Sequence, residues 1–125
     1  MMLEQEAEIQ PYDQQIQIFK VLTHPARLKI LEILRDGEHC VCHMETHMGF
    51  RQAYISQQLS VLREAGIIQD RRDGWNIYYR VIDERIYDVL DAVRRMTGHV
   101  ELEIKKPIVV CTCPRCSAQA GIESK

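Results

Sequence analysis

The chain has 125 residues, enough for one compact domain and short for two. Hydrophobic residues make up 46% and charged residues 27%, which excludes a disordered chain, and no apolar run approaches the ~18 residues of a membrane-spanning helix. The formal net charge of −2 excludes a uniformly basic nucleic-acid binder, so any DNA-binding charge must be local.

The opening stretch is acidic and lacks the basic and apolar regions of a signal peptide, so the expected location is the cytoplasm. Residues 1–11 read as an N-terminal arm ending at Pro11. From residue 12 to 22, Ile16, Phe19 and Leu22 fall on one helical face. Thr23 is then a candidate N-cap, and Pro25 suits a first helical turn. Leu28, Leu31, Ile33 and Leu34 give the next helix, 26–35, a broad apolar stripe, which Asp36-Gly37 ends. A short helix over residues 41–48 and a turn at Gly49-Phe50 follow. A longer helix, 52–65, carries Ile55, Leu59 and Leu62 at helical spacing and stops at Gly66. The period then changes: 67–72 and 76–81 read as strands, with Asp73-Gly74 as the hairpin signal. A final amphipathic helix, 83–97, carries Ile86, Val89, Leu90, Val93 and Met96. Residues 99–125 form a cysteine-containing tail, leaving 12–98 as the domain.

Short helices, a longer one and a β-hairpin follow one another in the winged helix-turn-helix order, a mainly α fold with a β wing. In that arrangement the helix starting near Gln52 enters the major groove of double-stranded operator DNA. Gln52, Tyr54, Ser56, Gln57 and Gln58 then meet base edges, and Arg51 meets a phosphate. Arg71 and Arg72 near the hairpin tip suit the backbone or the minor groove. Residues 51–80 carry five arginines against three acids, so the charge is locally basic. Tyr54 and Trp75 either contact DNA or pack. No nucleophile–base pair or phosphate-cradling glycine loop is present, so neither an enzyme nor a small-molecule substrate is expected.

The five cysteines form two clusters, Cys40 with Cys42 and Cys111, Cys113 with Cys116. An odd number in a reducing compartment points to metal binding or redox chemistry rather than structural disulfides.

Three stretches together resemble the ArsR/SmtB family of metal- and metalloid-sensing repressors: Leu22 to Leu31, Ser56 to Ile67, and Arg72 to Tyr79. The resemblance implies a five-helix winged fold, a homodimer built from the first and last helices, and repression of a resistance or transport operon. It also aligns Glu38-His39-Cys40-Val41-Cys42-His43-Met44 with the family's metal box, with His39 and His43 departing from its usual form. The paired metal-ligating cysteines carry over onto Cys40 and Cys42. The family's other site, on the last helix, needs an Asp-x-His start; Asp83-Glu84-Arg85 lacks that histidine.

Thiolates at i and i+2 cannot share one face deep inside a helix, but they can converge if the first precedes the helix and the second lies in its first turn. The positive end of that helix favours thiolate over thiol. Such soft ligands suit As(III), Cd(II), Pb(II) or Zn(II), with no organic cofactor. The tail is long enough, at ~40 Å when extended over 100–111, for Cys111, Cys113 and Cys116 either to complete this site or to hold an ion alone. A thiol-based redox or sulfide response of the same fold is the rival reading. His43 and His47, at i and i+4, form a further candidate metal pair.

Overall fold

A computed structural model describes residues 10–98 of the chain; residues 1–9 of the expected 1–11 arm and the tail with Cys111, Cys113 and Cys116 lie outside the described residues. After a 3₁₀ turn at Gln10–Tyr12 come α1 (Asp13–Val21), α2 (Pro25–Ile33), a 3₁₀ turn at Leu34–Asp36, and β1 (His39–Cys40). Then follow α3 (Val41–Met48), α4 (Gln52–Glu64), β2 (Ile68–Asp73), β3 (Asn76–Val81) and α5 (Ile86–Thr97). The fold is a winged helix-turn-helix: five helices around one core, with the β2–β3 hairpin as the wing.

Helical periodicity explains the centre. Ile55, Leu59 and Leu62 recur at i, i+4 and i+7 on α4 and are fully buried. They meet Ile30 and Leu31 of α2, Met44 of α3 and Ile68 of β2, all inaccessible to solvent. Gly66 ends α4 with φ +78°, while Ile67 N–H bonds to Leu62 C=O at 3.1 Å. A residue with a Cβ adopts that backbone only under strain, so glycine sets the angle at which the wing leaves the reading helix.

Several boundaries differ from expectation for local physical reasons. The cap of α2 is His24, whose Nδ1 accepts from Ala26 N–H at 3.2 Å; the Thr23 hydroxyl instead donates back to Lys20 C=O at 2.7 Å. The last helix begins at Ile86 rather than Asp83. Asp83 Oδ1 accepts the Arg85 N–H at 3.0 Å, forming a turn that competes with helix. In the hairpin Asp73 is paired with Asn76, so the loop is Gly74-Trp75, one residue shorter than the expected 73–75. Gly74 has φ +62° and, among the described residues, only glycines have positive φ, so Trp75 does not, the pattern of a type II′ turn.

The sequence reading also missed β1. It is only two residues long, and it makes the wing a three-stranded sheet in the order β1-β3-β2. His39 faces Tyr79 and Cys40 faces Tyr78 across the antiparallel ladder.

Helix α5 is attached to the body by Tyr87, Ile86 and Leu90 packed on the core and by polar contacts around the tyrosine. Tyr87 is buried and donates its hydroxyl to Leu31 C=O at 2.6 Å, and burial pushes its pKa up. The Arg35 guanidinium lies 4.5 Å from the ring centroid and bonds to Glu32 at 2.7 Å and Asp91 at 2.8 Å. Arg94 reaches the same Glu32 oxygen, Oε1, at 2.5 Å. Outside this join, Tyr12, Ile16 and Phe19 of the first helical segment and Val89, Val93 and Met96 of α5 leave two apolar stripes exposed at i, i+4, i+7 spacing.

Candidate DNA-reading surface and thiol pair

The polar side of α4 starts at its N-terminus. Arg51 occupies the N-cap position and its side chain makes no capping hydrogen bond, so the first N–H groups of the helix are not capped by a side chain at that position. Arg51, Gln52 and Gln57 are exposed, and Ser56 is half-buried. Tyr54 is half-buried as well; its ring packs against Phe50 with centroids 4.9 Å apart and leans towards His24.

Gln58 does not belong to this surface. It is only 6% exposed, and its Oε1 accepts from Arg27 Nε at 2.9 Å. Position 58 is i+3 from Ile55 and i−4 from Leu62, which puts it inside the core stripe of the helix. Its amide ties α4 to α2, and Arg27 also reaches Val21 C=O at 3.4 Å.

On the wing, Arg72 is exposed, but Arg71 is engaged. Its guanidinium bonds to both carboxylate oxygens of Glu38, at 2.5 and 3.2 Å, and lies 5.1 Å from the Tyr78 ring centroid. The Glu38 hydrogen bond pushes the guanidinium pKa further up, so its charge is permanent. Arg71 and Tyr78 are direct cross-strand partners, and Tyr78 is the partner of Cys40 on the other side. Glu38 and Tyr78 went unassigned in the sequence reading. Glu38 opened the metal-box resemblance, but nothing local links it to an arginine thirty-three positions away.

Cys40 ends β1 and is the N-cap of α3, with extended backbone at φ −88°, ψ 168°. Cys42 follows in the first helical turn, and the two sulfurs lie 2.7 Å apart. This is the convergence that i, i+2 spacing allows at a helix start. Cys40 and Tyr78 are buried together, with Cys42 packed on them. Three histidines stack alongside: His39 on His43 with centroids 4.0 Å apart and planes 8° from parallel, and His43 against His47 at 4.2 Å. His39 Nε2 faces Asp36 Oδ1 at 2.8 Å, and its buried Nδ1 has no hydrogen-bond partner among the described residues. The described residues contain no group of three histidine, cysteine or acidic side chains arranged to hold a metal. No helix among them is long and apolar enough to cross a membrane.

Residues 24–70 match the family model described as bacterial regulatory protein, arsR family. The chain is 41% identical over 76 residues to the biofilm growth-associated repressor of Agrobacterium fabrum, across 61% of this chain and 65% of that protein. It is 30% identical over 106 residues to the transcriptional repressor SmtB homolog of Synechocystis sp., across 79% of this chain and 78% of that one. Among solved structures, it superposes on the homodimeric winged helix-turn-helix DNA-binding domain of Mb0332 from Mycobacterium bovis. That match has a TM-score of 0.65 and 27% identity, over 77% of this chain and 94% of that one. These relatives are regulators of transcription, not enzymes. With a helix-turn-helix core, a β wing and this kinship, the chain belongs to the ArsR family of transcriptional regulators.

Proposed function

We propose that the protein is a cytoplasmic repressor that binds double-stranded operator DNA as a homodimer and lets go when a thiophilic metal or metalloid is captured by Cys40 and Cys42. The observation that carries this reading is the 2.7 Å approach of the two sulfurs at the start of α3, the helix that precedes α4. Paired thiolates suit As(III), Cd(II), Pb(II) or Zn(II), and further ligands would come from Cys111, Cys113 and Cys116. Two bare apolar stripes, on the first helical segment and on α5, favour burial in a two-fold interface.

DNA affinity would come from Arg51 and the α4 N-terminus on phosphates, and base preference from Gln52, Ser56 and Gln57. Two connections run from the thiol pair to this surface. Through α3 it bears on the turn preceding α4. Through β1 it bears on β3 and Tyr78, and so on the wing. A coupling of about 1–3 kcal/mol along either is typical of allostery and lowers affinity from several-fold to about a hundredfold.

A redox or sulfide response is the second reading. The same short sulfur–sulfur separation favours it, because a dithiol in contact needs little movement to be oxidised. One experiment separates the two. Affinity for a duplex selected from a random pool is measured while As(III), Cd(II) or an oxidant is titrated, with thiolate-to-metal absorption followed in parallel. The metal reading predicts release with a new absorption band, both lost in Cys40→Ser and Cys42→Ser. Release by oxidant alone, reversed by reductant, replaces it with the redox reading. Unchanged affinity under all conditions ends both.

A further inference from the structure

Trp75 is the single tryptophan of the chain, and at 103% exposure it is the least sheltered of the exposed large hydrophobic residues described. It holds the second central position of the II′ turn, beyond the last strand pair, Asp73 with Asn76. An indole can bury about 150–250 Å² when it packs; here it contributes nothing to the core. Exposure of one apolar side chain is ordinary, and its position is what identifies a partner.

The wing leaves the C-terminus of α4 through Gly66 and Ile67, so its placement follows that of the reading helix. Its strands run for six residues each, roughly 20 Å, which spans the distance from a helix seated in the ~12 Å major groove past a phosphate backbone to the next minor groove. The hairpin is chemically suited to that crossing. Arg72 is exposed next to the tip and Arg80 further back, while the tip's acid, Asp73, lies 3.8 Å from Arg71, the guanidinium that also holds Glu38.

We propose that Trp75 is a minor-groove wedge that determines sequence preference beneath the wing. The proposal rests on the DNA-binding reading above. The indole enters edge-on and donates Nε1–H to the purine N3 or pyrimidine O2 acceptors on the groove floor. An A·T pair presents only acceptors there. A G·C pair adds the guanine 2-amino group, a donor facing a donor. Trp75 therefore selects A·T pairs at positions that α4 does not read.

The test uses the full-length protein and a duplex that it selects from a random pool. Saturating duplex should quench tryptophan emission, which reports Trp75 alone because the chain has no other tryptophan. Trp75→Ala should lower affinity about tenfold with unchanged circular dichroism. Placing G·C under the wing should weaken the wild type but not Trp75→Ala. Inosine·C, which lacks the 2-amino group, should restore wild-type binding. Trp75→Phe, a ring without the donor, should bind better than Trp75→Ala while losing the preference for A·T. Wild-type affinity in Trp75→Ala, or equal binding of G·C and inosine·C duplexes, would overturn the wedge and leave DNA reading intact. Failure to select any duplex would overturn both.

Discussion

Cys40 and Tyr78 are Cα partners across the short β1–β3 ladder and are buried in one small cluster with Cys42 against them. Tyr78 is also the cross-strand partner of Arg71, whose guanidinium covers the tyrosine ring and is clamped by Glu38. Glu38 itself lies just before β1. Sulfur, aromatic ring, guanidinium and carboxylate thus form a closed set joining the thiol pair to the wing.

Glu38→Gln tests that set. Arg71 cannot grip Glu38 and a phosphate with the same fork of donors. Removing the carboxylate charge should free it, raising duplex affinity several-fold and steepening the dependence of log affinity on log salt by about one unit. Binding isotherms at a series of salt concentrations read this directly. An unaltered slope would show that Arg71 stays off the backbone.

Gln57 and Gln58 are neighbours with opposite expected roles. Gln58→Ala leaves Arg27 Nε without its acceptor in a partly buried place, and should cost about 1–3 kcal/mol of stability in urea denaturation, with base preference unchanged. Gln57→Ala touches an exposed side chain and should leave stability within about 0.5 kcal/mol. It should relax discrimination at one base pair by about 1–3 kcal/mol, read from competition between duplexes.

Acid should loosen the join between α2 and α5. Burial acts to raise the Glu32 pKa, but hydrogen bonds and charge from Arg35 and Arg94 outweigh it, and the net shift is downward. Asp91 is lowered chiefly by its hydrogen bond to Arg35. Since both are lower folded than unfolded, the unfolded chain takes up more protons as pH falls. Their stabilisation is complete above the unfolded carboxylate range, near ~4, and is lost as pH drops through the folded values. Denaturation midpoints should therefore decline on acidification in that window. Arg35→Met should lower the midpoint at neutral pH and flatten the decline; an equally steep decline would assign the acid sensitivity elsewhere.

Phe19→Glu and Val93→Glu place a charge on each exposed apolar stripe without disturbing the core. Under the proposed homodimer, sedimentation should show a dimer for the wild type and monomers for both variants. Because two linked half-sites bind with avidity, duplex affinity should fall about a hundredfold. A dimer that survives both changes would place the interface on another surface.

How much could be read in advance depended on the range of the interaction. The core face of α4, the extent of Val41–Met48 and both hairpin strands were legible because periodicity and glycine punctuation are local signals. Gln58 was misassigned as a base reader by residue type, although its spacing from Ile55 and Leu62 already placed it inward. The first wing strand runs one residue further than read, to Asp73, because an Asp-Gly signal marks a turn without fixing its length, which strand pairing does.

The sequence by itself determined the order of helices and strands, the approach of Cys40 to Cys42 at a helix start, and the polar character of the α4 surface. Each of these depends on neighbours a few positions away, where backbone geometry leaves little choice. Tertiary structure decided that β1 exists, that Arg71 is held by Glu38 rather than projecting freely, and that Gln58 serves Arg27. Those outcomes join residues about thirty to forty positions apart, and which donor meets which acceptor at that range is settled only when the packed core brings them together.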